Sequence, residues 1–423
     1  LLQWRQTHQQ KPGKAKDSLQ GFRPISVGSI WYRGWSHVRM SQLAGWLEAT
    51  MPPEIHGGIK KRSVSTALLG PLSDLEASHA LNTDRAKTRY VGAADLSKAF
   101  DKLWYAHGIA AMRRKGVPDA FCDALSRAWR DQERWLQLGD HVGHAPVLNA
   151  QCLPQGDPAA PLALSCVLGE ALQRSQRTYS DPRQHGRTRH TMYLDDRTWL
   201  FTCPRTCAAI AGSWGTEALR LGLAENPGKL EFAAAGGVRF RRRLAAALGS
   251  AERIRERPKI LGTRLLLTRR SSKAEQEEIS GLKKALTIAT WIKALPFESP
   301  PKSYFYKATA LAIAATPRWN RLPALTELRS LRAAHAAIVG KGSNPLGPHG
   351  HLFQLLCGHT ACVSFRVGET TSTTILQAAA AGELPRACWH PKQSMGPTGL
   401  LRRWMQRQGW SECSPCLLYT SDA

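Results

Sequence analysis

The chain has 423 residues, 43% hydrophobic and 21% charged, which excludes an intrinsically disordered chain and suits two or three domains. Its 58 lysines and arginines against 32 aspartates and glutamates give a net charge of +26, so we expect a polyanionic partner, with nucleic acid ahead of a membrane surface. No run of 18 or more apolar residues occurs, which excludes a membrane-spanning helix, and the ten cysteines show no disulfide framework, which favours a reducing compartment.

The first half of the chain predicts a mixture of helices and strands. Residues 1–20 are polar and basic and predict a linker. From residue 22 to about 48 the pattern is helical, with an apolar face made by Trp31, Trp35, Val38 and Leu43. Further elements are predicted as follows: a buried strand over 90–96, helices over 105–115 and 118–130, and a β-hairpin over 134–153.

The second half begins with a long apolar helix predicted over 158–176. Residues 191–201 hold two short apolar runs around Asp195 and Asp196, which predicts a tight hairpin with two carboxylates at its tip. A helix follows over about 208–221 and three helical stretches lie in 273–340, whereas residues 341–415 are rich in Gly and Pro and predict irregular structure.

Three carboxylates form the candidate catalytic set. Asp95 ends a strand of small residues, and Asp195 and Asp196 follow about one hundred residues later. Phosphoryl transfer needs clustered carboxylates on rigid strand ends to hold two Mg²⁺ ions. Taken alone, each signal favours a structural role, a helix cap for Asp95 and a solvated turn for the Asp-Asp pair, so the combination carries the argument.

Ordered motifs in the chain resemble those of reverse transcriptases, with non-LTR (LINE-type) elements as the nearest match. They are residues 23–25 (RPI), 58–63 (GIKKRS), 95–101 (DLSKAFD), 153–162 (LPQGDPAAPL), 193–196 (YLDD), 222–229 (GLAENPGK) and 261–262 (LG). Their order and spacing agree with the family over about residues 21–265.

The resemblance implies an α+β right-hand polymerase fold with fingers, an antiparallel palm sheet packed on helices, and a helical thumb. It places fingers and palm at 21–265 and the thumb at 266–340, between a basic linker at 1–20 and an irregular region at 341–415. Residues 416–423 resemble translated sequencing adaptor, and Leu1 is no start residue, so we expect both true termini to lie outside this sequence.

The resemblance also implies a role for each site residue. Asp95, Asp195 and Asp196, with the Leu96 carbonyl, would hold two Mg²⁺ ions, with Mn²⁺ as an alternative. Phe100 would be the steric gate against a ribose 2′-hydroxyl, and Lys229 would protonate the leaving pyrophosphate. The residues expected to bind the nucleotide or template are Arg23, Arg62, Gln155 and Gly156.

The implied activity is RNA-directed DNA synthesis, with dNTPs, an RNA template, a DNA primer and the RNA–DNA hybrid as partners and no membrane. Two alternatives stay open: an inactive or maturase-like RNA-binding protein, and an RNA-dependent RNA polymerase. A zinc knuckle from Cys357, His359, Cys362, Cys388, His390 and Cys413 is not favoured, because the spacing does not fit. The expected location is the nucleus or cytoplasm, and the oligomeric state is left open.

Overall fold

The structure is a computed structural model that describes residues 3–10, 22–80, 90–130, 132–138, 140–147, 151–235, 238–256, 258–261, 263–264, 272–315, 323–339, 363–380, 384 and 396–407. The cysteines and histidines considered for zinc, Gly262 and the tail 416–423 lie outside these residues. The chain divides into two compact units. The first comprises Leu1–Ala67, Tyr90–Ala233 and Arg241–Arg255, and the second comprises Leu68–Arg89, Ala234–Phe240 and Glu256–Ala423.

The elements up to residue 264 are mixed in type. The strands are β1 (Gln3–Gln10), β2 (Phe22–Val27), β3 (Tyr90–Asp95), β4 (Glu133–Leu138), β5 (His141–Val142), β6 (Thr188–Tyr193), β7 (Asp196–Phe201), β8 (Glu231–Ala234), β9 (Lys259–Ile260) and β10 (Thr263–Arg264). The helices are α1 (Ile30–Thr50), α2 (Val64–Ala80), α3 (Ala99–Lys102), α4 (Tyr105–Arg114), α5 (Asp119–Arg130), α6 (Ala160–Arg177), α7 (Pro182–His185), α8 (Arg205–Arg220) and α9 (Val238–Leu248).

A four-stranded sheet in the order β6-β7-β3-β8 organises the first unit. β7 pairs antiparallel with both β6 and β3, as the predicted hairpin and buried strand require. Every residue of β3 is buried, and the small residues 92–94 let neighbouring groups pack closely against it. Gly92 is the clearest case, since a Cβ there would overlap the indole of Trp199.

The core of the first unit surrounds α6, which is buried along most of its length, as its nearly continuous apolar sequence predicts. α4 packs closely on α6 because Gly108 faces Ala163, where a Cβ on Gly108 would lie 2.9 Å from the alanine Cβ. This scaffold supports the sheet that carries Asp95, Asp195 and Asp196.

A second sheet of the first unit has the order β2-β1-β4-β5. β1 lies within residues 1–20, so the prediction of a linker is wrong for residues 3–10. β1 pairs antiparallel with β2 and parallel with β4, and the Trp4 ring is buried against Tyr32 at a centroid distance of 5.3 Å. One apolar residue in a polar run gives little strand signal, and pairing on both sides stabilises the strand instead.

The first predicted helix also needs two corrections. Residues 22–27 form β2, and the helix starts only at Ile30, where Ser29 caps it by accepting from the Tyr32 amide. Trp31 and Val38 are exposed, whereas Tyr32, Ser36 and Leu47 form the buried face. The burial of Tyr32 and Ser36 follows from a polar contact with Asp157, which apolar periodicity does not reveal.

The second unit is helical in its C-terminal part. Its helices there are α10 (Ser272–Ala294), α11 (Ser299–Tyr306), a π-helical turn (Lys307–Leu311), α12 (Ala312–Ala315), α13 (Leu325–Val339), α14 (Val363–Ala380) and α15 (Gly396–Arg407). Their core includes Leu282, Ala289, Tyr306, Leu331 and Trp404. Within the described ranges, no helix is both long enough and apolar enough to cross a bilayer.

The irregular structure predicted for 341–415 is wrong where α14 and α15 form. Residues 363–380 contain a single glycine, Gly368, and that glycine lies against the Trp404 indole of α15. Because Gly and Pro are frequent in the region as a whole, its composition did not indicate the two amphipathic segments within it. Each segment forms a helix by burying one face.

Candidate metal centre

Asp95, Asp195 and Asp196 converge at one end of the central sheet, as the sequence predicts. Asp95 is the last residue of β3 and the direct partner of Asp196, the first residue of β7. Leu194 and Asp195 form the turn between β6 and β7, with Leu194 at φ +55°. One carboxylate oxygen from each aspartate lies within 4.8 Å of the others, so the three can share a bound cation.

The electrostatics of the cluster favour a bound cation. Burial, reinforced by the charge of Asp95, raises the pKa of Asp195. Burial and the charges of Asp195 and Asp95 raise the pKa of Asp196 to about 7. Carboxylates crowded in this way repel one another, and a divalent cation relieves both the repulsion and the cost of burial. The all-oxygen donor set fits a hard divalent ion.

Asn226 and Lys229 hold Asp95 in place. The Asn226 backbone amide donates to the Asp95 carbonyl at 2.7 Å, and its side-chain amide donates to Asp95 Oδ2 at 3.4 Å. Lys229 Nζ forms an ion pair with the same oxygen at 2.9 Å, and its side chain is largely exposed. Lys229 was singled out from the sequence, whereas Asn226 was not, although it lies in the same motif.

Gln155 and Gly156 contact β2, the strand that also carries Arg23. The Ser26 amide of β2 donates to the Gln155 carbonyl at 2.6 Å. Gly156 has φ +121°, and a Cβ there would lie 2.6 Å from the Ser26 carbonyl, so only glycine fits. Arg23 is exposed on β2, and its positive charge opposes the rise that burial causes in the pKa of Asp195.

Leu96 and Phe100 follow Asp95 along the chain. Leu96 is buried, forms a β-bridge with Glu225, and donates its amide to the Asp195 carbonyl at 3.4 Å. Phe100 lies in α3, half-buried against the core of the first unit.

Arg62, predicted to bind nucleotide or template, directs its guanidinium to four backbone carbonyls. Its Nη1 donates to the carbonyls of Pro52 and Ile55, at 2.5 and 2.7 Å. Its Nη2 donates to the carbonyls of Glu48 and Met51, at 3.1 and 3.0 Å. The guanidinium thus closes the C-terminal end of α1, where carbonyls lack helical partners and a cation is stabilising.

Asp157 is a buried carboxylate whose structural role the sequence did not reveal. It accepts from Tyr32 Oη at 2.5 Å, Trp129 Nε1 at 3.0 Å, Ser36 Oγ at 3.3 Å and the Ala159 amide at 2.7 Å. Burial raises its pKa, and the four donors oppose that rise. The network fixes the Gln155–Gly156 loop against α1 and α5.

Comparisons with known proteins agree with the motifs. Residues 10–265, more than half of the chain, match the family model described as "Reverse transcriptase (RNA-dependent DNA polymerase)". The chain is 25% identical over 157 residues to a Pol polyprotein from an R2 retrotransposable element of Nasonia vitripennis, covering 36% of this chain and 14% of that protein. It is 24% identical over 230 residues to the R2 Pol polyprotein of Popillia japonica, covering 52% and 31%.

A solved structure shares the fold. Apo telomerase from Candida Tropicalis is similar with a TM-score of 0.50 and 10% identity, covering 89% of this chain and 67% of that one. This likeness confirms the α+β polymerase architecture expected from the sequence. The chain spans less than a third of the length of each of these R2 polyproteins.

Proposed function

Because the chain belongs to the reverse transcriptase (RNA-dependent DNA polymerase) family, we propose that it is the polymerase part of an R2-like, non-LTR retrotransposon protein. The proposed reaction is RNA-directed addition of deoxynucleotides to the 3′-hydroxyl of a DNA primer. The observation that carries the proposal is the convergence of Asp95, Asp195 and Asp196 at the sheet end. The net charge of +26 supports a nucleic-acid partner.

The three aspartates, with the Leu96 carbonyl, are proposed to hold two Mg²⁺ ions. When bound, such ions activate the primer hydroxyl and neutralise the triphosphate. The carboxylates supply the rigid oxygen donors, since two come from strand ends and one from a two-residue turn. Asn226 keeps the Asp95 carboxylate and backbone in position.

The remaining residues are proposed to bind and orient substrate. Arg23 offers a guanidinium fork to the triphosphate, and the Gln155–Gly156 loop lies under the template base and incoming nucleotide. Phe100 presses against C2′ and leaves no room for a ribose hydroxyl. Lys229, exposed and already beside Asp95, is placed to protonate or neutralise the leaving pyrophosphate.

Primer extension on an RNA template tests the proposal. The wild type, Asp195→Ala and the control Asp140→Ala would be compared with dNTPs and with rNTPs in Mg²⁺. Asp140 is an exposed aspartate of the same unit. Extension with dNTPs that is lost only in Asp195→Ala is the expected result. Extension with rNTPs alone would indicate an RNA polymerase, and RNA binding without extension would indicate an inactive or maturase-like protein.

A further inference from the structure

Arg197 is a fully buried arginine directly after the Asp195–Asp196 pair. Its guanidinium carbon lies 4.2 Å from the Trp214 ring centroid and 5.0 Å from that of Trp199. Its Nη2 donates to Tyr179 Oη at 3.3 Å. Alternation along β7 places this side chain on the opposite face from Asp196. The Arg197 guanidinium, which lies between two indoles, therefore stabilises β7 on the face opposite Asp196.

Glu225 supplies the nearby negative charge. The charge of Glu225 acts to raise the pKa of Arg197, and Arg197 in turn acts to lower that of Glu225. Burial lowers the Arg197 pKa only to about 10, so the side chain stays charged at neutral pH. Among the described residues, three buried atoms of this pair lack hydrogen-bond partners: Nε and Nη1 of Arg197 and Oε1 of Glu225. Arg197 therefore has two unpaired donor atoms, and Glu225 has one unpaired acceptor.

The Glu225 segment holds Asp95. Glu225 forms a β-bridge with Leu96, and the next residue, Asn226, donates to both the backbone and the carboxylate of Asp95. Arg197 lies on the strand of Asp196 and opposite Ala94, the neighbour of Asp95. Glu225 is likewise opposite Leu96, two residues beyond Ala94, so Arg197 and Glu225 flank this stretch of chain on the same face. They belong to the two segments whose separation sets the distance between the metal-binding carboxylates.

We propose that Arg197 and Glu225 are positioning residues that fix the spacing of Asp95 and Asp196 and so set the affinity of the cluster for divalent metal. This inference rests on the proposed function. A buried charge costs free energy that an apolar side chain of similar volume avoids, so packing alone does not account for an arginine at this position.

Mn²⁺ binding to the full chain without nucleic acid tests the inference, followed by electron paramagnetic resonance and paired with urea unfolding. Arg197→Met removes the charge and keeps the volume, and Glu225→Gln neutralises the partner. Both should weaken Mn²⁺ binding by roughly 10- to 100-fold, as loss of groups that orient metal ligands does. Arg197→Lys, which keeps the charge, should recover part of the loss.

Phe121→Leu is the matched control, since Phe121 is buried in α5 of the same unit. It should lower stability and leave Mn²⁺ affinity unchanged. Equal Mn²⁺ affinity in the wild type, Arg197→Met and Glu225→Gln would overturn the inference. A loss of Mn²⁺ affinity that merely follows the loss of stability would also overturn it. Phe121→Leu would reveal such a case by losing Mn²⁺ affinity as well.

If Arg197→Met does not fold, Glu225→Gln decides the question, because Glu225 is half-buried and its neutralisation leaves the tryptophan cage intact. Unchanged Mn²⁺ affinity in that variant would overturn the inference. A wild-type chain that binds no Mn²⁺ would contradict the metal centre of the proposed function itself, which is a separate outcome.

Discussion

Asp95 and Asp196 are direct partners in the antiparallel register of β3 and β7. Register determines which face of a strand each side chain occupies, so a slip of one residue would send one of the two carboxylates to the opposite face. The cluster therefore depends on the pairing of two strands that lie about one hundred residues apart in the chain. Trp199 packs against Gly92 of β3 and also contacts the Arg197 guanidinium. These contacts support the pairing and therefore the arrangement of the carboxylates.

Two arginines singled out from the sequence should behave in opposite ways. Arg62→Ala removes four hydrogen bonds to backbone carbonyls and should lower the free energy of unfolding by about 2–4 kcal/mol. The KM for dNTPs of the folded protein should not change. Arg23→Ala, at an exposed position, should raise that KM and shift stability by less than about 0.5 kcal/mol. Urea unfolding measures the stabilities and steady-state extension measures the KM values. A raised KM at wild-type stability for Arg62→Ala would support the nucleotide-binding role predicted for it.

The Phe100 ring should select the sugar. Phe100→Val should increase incorporation of rNTPs relative to dNTPs by about tenfold or more, which corresponds to at least about 1.4 kcal/mol of lost discrimination. The reason is that a smaller side chain opens space for the 2′-hydroxyl. Single-nucleotide extension with each substrate gives the ratio. Phe121→Leu serves as the control, and an unchanged ratio in Phe100→Val would assign this ring to the core alone.

Strongly periodic segments were predictable, and polar networks were not. The strand at 90–95, the helices α4, α5 and α6 and the hairpin around Asp195 lie within a few residues of their predicted positions, because each combines a clear apolar pattern with a turn or cap. The grouping of Asp95 with Asp195 and Asp196 followed from ordered motifs.

Other features depend on groups distant in the chain. β1 is a strand because two neighbours pair with it, and α1 buries Tyr32 because Asp157 lies opposite. Arg62 meets four carbonyls that only the fold brings together. No local sequence pattern indicates any of these distant partners.

Asp157 should be a stability residue and not a ligand for metal. Asp157→Ala leaves Tyr32 Oη buried without its acceptor and removes one of the two acceptors of Trp129 Nε1, so the free energy of unfolding should fall by about 3 kcal/mol. Asp157→Asn keeps one oxygen and should cost less. Mn²⁺ affinity of the folded variants should equal that of the wild type. A loss of metal binding at unchanged stability would contradict this assignment.

Glu76 should make the stability of the second unit depend on pH. Its carboxylate is buried at the start of α15, where it accepts from the Thr398 and Gly399 amides at 3.3 and 3.1 Å and from Thr398 Oγ1. Burial raises its pKa to about 7, from an ordinary value of 4.5, and the hydrogen bonds oppose that rise. Between pH 4.5 and 7 the folded state binds the proton more tightly than the unfolded state does, so stability is highest at the acidic end and falls as pH rises.

The full effect corresponds to about 3 kcal/mol across that window. Urea unfolding at pH 5 and pH 7.5, followed by far-ultraviolet circular dichroism, measures it in the wild type and in Glu76→Gln. The glutamine variant carries no titrating group at this position, so its stability should change less between the two pH values. His56 titrates in the opposite sense, since burial lowers its pKa to about 4 and its contribution grows as pH rises, but it is present in both proteins and cancels in the comparison. An equal pH dependence in the two proteins would show that Glu76 is not the group responsible.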